Sequence, residues 1–203
     1  MPLLATPAEE LFAALLDVLA AKGMVSEAAL AERIRSTDAA TPAQGARMVA
    51  KAWVDPAYRA LMLADGTRAA EALGIPMVGA PPLGVLENRP GLHHLVVCTL
   101  CSCYPRAVLG YPPFWFKSAA YRARAVRDPA GLIAAWGTLL PPGTEIRVVD
   151  STADYRWMVL PMRPAGSEGW DETALVSLVR EGDMIGVSLP VLAPLPAPPA
   201  GEG

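Results

Sequence analysis

The chain carries three cysteines, and all of them fall in the six-residue run Cys98-Thr99-Leu100-Cys101-Ser102-Cys103. No cysteine is left elsewhere to close a long loop, so a disulfide framework is excluded and the fold must come from burying apolar side chains. With 203 residues, 53% of them hydrophobic, there is enough material for one core and an appended arm. Composition does not separate an Ala-rich count from apolar surface reserved for other subunits. No stretch approaches the roughly 20 uninterrupted apolar residues needed to cross a bilayer. Glu9, Glu10 and Asp17 interrupt the opening segment and no basic region precedes it, unlike a secretory signal. The chain therefore reads as soluble and cytoplasmic, with no membrane partner. A formal net charge of −3 and the lack of a long Lys/Arg run speak against nucleic acid.

The first third is patterned as helix. Leu11, Leu15, Leu16 and Leu19 recur at helical spacing between Pro7 and Ala21, with Thr6 as N-cap and Gly23 as stop. Ser26 caps a second helix, Thr41-Pro42 opens a third that runs to about Trp53, and Asp55-Pro56 opens a fourth that runs towards Gly74. Between Gly74 and Pro90 the composition turns to Gly and Pro, which predicts an irregular connection. The run His94 to Leu100 suits a buried strand, and Pro105, Pro112 and Pro113 then forbid a long regular element. Helices are expected at Tyr121 to Val126, after Asp128-Pro129, and at Asp171 to Arg180; strands are expected at Glu145 to Val149 and Arg156 to Leu160. The expected class is α+β: a helical arm over 1–74, then a layered α/β domain over 75–190 whose small mixed or antiparallel sheet carries the cysteine run. A Pro/Ala-rich tail over 191–203 reads as disordered.

A C-x-x-C-x-C cluster in an intracellular chain points to metal or redox chemistry, because thiolates are soft ligands that gather cations. One reading is a structural zinc site with His93 or His94 as fourth ligand, or a redox sensor. The other starts from Cys101 and Cys103 lying one residue apart, which forces their shared backbone close to the ion. If the amide nitrogens of Ser102 and Cys103 lose their protons, three sulfurs and two nitrogens make a near-octahedral claw with one open position. Only a strongly Lewis-acidic trivalent ion, cobalt or iron, makes that deprotonation plausible.

The run Val96-Val97-Cys98-Thr99-Leu100-Cys101-Ser102-Cys103-Tyr104-Pro105 resembles the metal claw of nitrile hydratase alpha subunits and of the related thiocyanate hydrolase. Val49-Ala50-Lys51-Ala52-Trp53, Ala64-Asp65-Gly66-Thr67, Leu109-Gly110-Tyr111-Pro112-Pro113, Tyr121-Arg122-Ala123-Arg124, Val159-Leu160-Pro161 and Arg163 to Trp170 extend the resemblance over most of the chain. The resemblance implies a lyase that hydrates a small-molecule nitrile to the amide, with Cys98, Cys101, Ser102 and Cys103 as metal ligands. It implies cobalt(III) from Thr99, where iron enzymes usually carry Ser; iron(III) is the second choice. It also implies oxidation of Cys101 to a sulfinic acid and of Cys103 to a sulfenic acid. Cys103 and Ser102 are then the catalytic residues, the first through its sulfenate oxygen and the second through its backbone nitrogen and hydroxyl. The partners implied are beta-type subunits, whose arginines hold the oxidised cysteines, and a cobalt-delivering activator. The molecule would thus be a hetero-oligomer.

Two positions depart from the common nitrile hydratase pattern: Arg106 stands where many members carry Trp, and Tyr111 where Leu is usual before Pro-Pro. Arg106 reads either as a surface or subunit-interface residue or as a substrate selector, favouring an anion, which is what thiocyanate hydrolase binds, or equally hydrogen-bonding a large polar nitrile. His93 and His94 point to opposite faces of a strand, so at most one faces the metal; one or both are assigned to hydrogen bonds that support the claw or a neighbouring subunit. Asp154, Arg156 and Trp170 read as structural, while Arg163 is expected to support the site from behind.

Overall fold

A computed structural model describes residues 7–192. The expected Thr6 cap and the tail from residue 193 onwards lie outside the described residues. The chain divides into two compact units after Ala39. The first holds α1 (Pro7–Ala21) and α2 (Glu27–Asp38), the latter capped by Ser26, whose hydroxyl accepts from the Ala29 N–H at 3.1 Å. No residue of α1 is buried, and its apolar residues Leu11, Phe12 and Leu15 are exposed.

The second unit begins with α3 (Pro42–Val54), α4 (Pro56–Ala64) and α5 (Gly66–Ala72). These helices, read from sequence as part of the arm ending at residue 74, lie in the same unit as the strands because Met48, Val49, Met62 and Ala69 enter the core. The single helix expected from Asp55 to Gly74 is broken at Asp65. Its backbone is extended there and its carboxylate caps α5 by accepting from the Arg68 N–H; Asp55 does the same for α4, accepting from Ala57 and Tyr58. Each acidic cap satisfies donors that a helix start leaves open.

Four strands form, among the described residues, two two-stranded ladders. β1 (Leu83–Glu87) pairs with β4 (Arg156–Leu160), and β2 (Leu92–Val97) pairs with β3 (Glu145–Asp150). The α+β class holds, but the strand direction corrects the mixed or antiparallel sheet expected from sequence: both ladders are parallel. Parallel partners need long crossovers. The one from β2 to β3 carries the cysteine loop, α6 (Arg106–Leu109), α7 (Phe114–Lys117), α8 (Ala119–Arg127) and α9 (Pro129–Ala135). β3 and β4, close enough in sequence for a hairpin, take different partners instead.

β1 lies inside the stretch read as irregular. Its ladder is supplied by a strand distant in sequence, with Leu83 opposite Arg156, so local composition did not announce it. Gly84 serves this pairing by having no side chain: a Cβ there would stand 2.4 Å from the Trp157 ring. α10 (Glu172–Val176) is capped by Asp171 but ends before the expected Arg180, and α11 (Glu181–Ile185) follows.

Every residue of β2 is buried, as a parallel strand covered on both faces requires. Leu95, Val96 and Val97 pack in one cluster with Met48, Phe116, Met158 and Met184. The polar members of β2 are satisfied internally. The His93 ring donates through Nε2 to the Gly186 carbonyl at 2.7 Å and accepts at Nδ1 from the Asn88 amide at 3.0 Å. The Asn88 carbonyl accepts from the His94 backbone N–H at 2.8 Å and from its Nδ1 at 3.2 Å. Buried polar groups joined this way hold one register, because leaving any one unpaired is costly.

Gly186 ends α11 in the left-handed region at φ 91°, and a Cβ there would stand 2.0 Å from the His94 carbonyl oxygen. Gly186→Ala is therefore expected to destabilise the fold by about 2–4 kcal/mol, read by denaturant melts. Burial holds both His93 and His94 below the usual 6.5, with Arg147 adding to the effect at His94. The unfolded chain thus takes up these protons first. Stability is fully present above about pH 6.5 and is lost as pH falls towards the depressed folded values. The thermal midpoint should drop between about pH 7.5 and 5.5, and drop less in His93→Asn.

Candidate metal centre

Cys98 comes directly after β2, so the strand delivers one sulfur into the core, where it is 1% exposed. The chain then turns through an irregular loop that brings back two more. The Cys98 and Cys101 sulfurs lie 3.4 Å apart, those of Cys101 and Cys103 3.2 Å apart, and all three fall within 4.8 Å of one another. Cys103 is buried, Cys101 is exposed, and Ser102 between them is exposed. Leu100, at 89% exposure, forms the outer tip.

The three thiols are electrostatically unequal. Hydrogen bonding from Cys103, then from Cys98, then from the Ser102 N–H holds the Cys101 thiol below its ordinary value, and the Cys103 N–H acts in the same sense. Burial pushes the Cys103 thiol up to about 12, helped by its sulfur partners and opposed by the charge of Arg156. Cys101 thus ionises before Cys103. The Cys101 N–H donates to the Cys98 sulfur at 3.2 Å, which ties the loop backbone to the cluster. Three soft sulfurs this close together form a donor set suited to a thiophilic cation.

The loop is held from several sides. Asp150, last residue of β3, accepts from the Thr99 N–H at 3.0 Å and from the Thr99 hydroxyl. The Ser151 N–H donates to the Val97 carbonyl at 2.7 Å. From α8, Tyr121 donates to the Val96 carbonyl at 2.6 Å, and Arg122 Nη1 donates to the Leu100 and Thr99 carbonyls at 3.2 and 3.4 Å. Beyond the loop, Tyr104 donates to Glu181 at 2.5 Å and packs edge-on against Phe116 at 4.9 Å. Burial raises Glu181 above the usual carboxylate range.

Cys98, Cys101 and Cys103 come together, with Thr99 and Ser102 in the same loop. Thr99 points its hydroxyl at Asp150, away from any role as ligand. Arg106 stacks over the ring of Tyr111 at 4.4 Å, so the two departures from the common pattern form one cation–π pair. Arg163 donates to Ser167 Oγ at 3.1 Å, to the Ser167 carbonyl, and to the Trp53 carbonyl at 3.5 Å, bracing its own loop against α3. The zinc reading with a histidine ligand is corrected. Both imidazoles are engaged with Asn88, and His93 also with Gly186; among the described residues the metal-competent group contains only the three cysteines. Sequence reasoning missed Asp150 and Arg122. Arg122 lay in a segment noted for its resemblance, but nothing local indicated that either residue reaches the loop.

The family model for the nitrile hydratase alpha chain matches residues 6–188. The chain is 46% identical over 175 residues to the low-molecular weight cobalt-containing nitrile hydratase subunit alpha of Rhodococcus rhodochrous, covering 85% of this chain and 84% of that one. It is 45% identical over 160 residues to the thiocyanate hydrolase subunit gamma of Thiobacillus thioparus, covering 73% and 66% respectively. Among solved structures, a double histidine-to-alanine mutant of the Fe-type nitrile hydratase from Comamonas testosteroni Ni1 superposes with a TM-score of 0.80 at 38% identity, covering 98% of this chain and all of the other. With the family model spanning both compact units and the cysteine loop, the chain belongs to the nitrile hydratase alpha-chain family.

Proposed function

We propose that this chain is the metal-bearing alpha subunit of a nitrile hydratase, which adds water across a carbon–nitrogen triple bond to give the amide. The observation that carries the reading is the convergence of the Cys98, Cys101 and Cys103 sulfurs within 4.8 Å of one another. Cys98, Cys101 and Cys103 would hold the ion through sulfur, and Ser102 and Cys103 also through their backbone nitrogens. Thr99 and the cobalt-containing relatives favour cobalt(III); the iron-type structural neighbour keeps iron(III) as the second choice. When bound, the ion supplies a Lewis acid that polarises the nitrile nitrogen or acidifies water.

The unequal thiols support an unequal fate. Oxidation follows thiolate character and exposure. Cys101 is exposed and Cys103 buried, which favours the further oxidation by dioxygen, to the sulfinic acid, at Cys101 and an arrest at the sulfenic acid at Cys103. The Cys103 oxygen then acts as nucleophile or as base for water, and the exposed Ser102 hydroxyl orients the proton being moved. Arginines of a beta-type subunit would pair with these oxygens. The exposed stripe Leu11, Phe12 and Leu15 supports the arm as a partner-binding element, separate from the domain that carries the claw. A cobalt-delivering activator completes the reading, in a cytoplasmic hetero-oligomer. No helix among the described residues is long and apolar enough to cross a membrane.

The second reading, thiocyanate hydrolase, is favoured by the Arg106–Tyr111 pair, because a stacked guanidinium holds a fixed positive charge suited to an anionic substrate.

The deciding experiment co-expresses the chain with its partner subunits in cobalt medium. Amide release from a nitrile panel is then compared with carbonyl sulfide and ammonia release from thiocyanate. Amide formation, abolished in Cys103→Ser, supports the first reading; thiocyanate turnover that falls about tenfold or more in Arg106→Trp supports the second. Asp150→Asn, which weakens the brace on Thr99, should cost about 10–100-fold in cobalt retention or turnover, read by elemental analysis and initial rates.

A further inference from the structure

The contacts of Arg122 run in series with a contact to a ligand sulfur. Its Nη1 donates to the Leu100 carbonyl at 3.2 Å, and the N–H of that same peptide unit, on Cys101, donates to the Cys98 sulfur at 3.2 Å. A peptide couples its two ends through one conjugated system. A cation on the oxygen withdraws density from the nitrogen and makes the N–H a stronger donor. Hydrogen bonds in such chains strengthen one another by about 10–30% each, and charge-assisted ones are roughly twice as strong as neutral ones.

We infer that Arg122 tunes the Cys98 ligand through the Leu100–Cys101 peptide, lowering the electron density that this sulfur gives to the bound ion. The inference rests on the metal-claw reading above. Cys98 is the position where such a relay has most effect. It is 1% exposed, so water does not compete for the sulfur, and among the three cysteines it is the one expected to remain an unoxidised thiolate. Hydrogen bonds to ligand sulfurs are an established means of setting a metal's potential.

Arg122 is well placed for this. Ser118 caps α8 by accepting from the Tyr121 N–H at 3.1 Å, and Tyr121 is tied to the Val96 carbonyl at 2.6 Å, so the helix start is fixed against β2. The Arg122 Nε is buried and finds no acceptor among the described residues, which leaves the guanidinium directed at the two loop carbonyls. It does not touch the sulfurs; it is a positioning and tuning residue.

The test compares the cobalt-loaded complex of the wild type with Arg122→Met, which keeps most of the aliphatic stem, and Arg122→Lys, which keeps the charge. With the relay cut, the Cys98 sulfur donates more strongly. The sulfur-to-cobalt charge-transfer absorption should move to longer wavelength and the cobalt reduction potential should become more negative in Arg122→Met, with Arg122→Lys returning towards wild type. A loaded Arg122→Met whose band and potential match wild type overturns the inference alone. If that variant does not load, Arg122→Gln, which keeps a neutral donor, is read the same way: a smaller shift of the same sign supports the relay, and no shift overturns it. A wild-type complex that carries zinc and shows no charge-transfer band overturns the metal reading and the inference with it.

Discussion

The parallel pairing of β2 with β3 is the constraint on which the rest of the site depends. The register sets Val97 opposite Asp150, so both strands end at the same level. Cys98 comes directly after the first strand, and the second ends on the carboxylate that takes both donors of Thr99. A slip of one residue would turn every side chain of β2 to the opposite face. It would also carry the Cys98 sulfur out of its buried position. Functional loops gather outside the carboxyl ends of parallel strands for this reason: the ladder fixes where they start, and the crossover leaves them room.

The polar network behind β2 protects that register. Asn88 links the two imidazoles, and His93 reaches the Gly186 carbonyl at the end of α11, so a slip would leave several buried donors and acceptors unpaired. Arg122 of α8 and Asp150 at the end of β3 act on the cysteine loop from outside, while Tyr121 and Ser151 hold the end of β2 just before it. The loop itself contains no helix or strand. Its shape is therefore imposed by its neighbours, and within it the sulfurs differ in burial and in ease of ionisation.

The features legible in the sequence were those whose cause is local. Pro7, Ser26, Pro42, Pro56 and Pro129 mark helix starts because capping and the fixed proline φ act within one turn. The cysteine cluster announced metal chemistry because its spacing leaves few other uses. What escaped was non-local. β1 was hidden by the Gly and Pro residues around it, since its ladder comes from β4. The parallel direction was not visible in strand composition. Asp65 hid a helix break because a mid-helix Asp and a capping Asp look alike until the backbone is seen. Asp150 and Arg122 reach the loop from elements far away in sequence, and neither carries a local sign of doing so.

A claw of three sulfurs and two backbone nitrogens is the arrangement proposed to hold the ion. It is tested most directly by X-ray absorption at the metal edge of the complex purified from cobalt-supplemented cells. The expected result is cobalt in the trivalent state, with three sulfur and two to three nitrogen or oxygen neighbours at short distance. A four-coordinate zinc bound by the three sulfurs and one light atom would contradict it and return Cys98, Cys101 and Cys103 to a structural role.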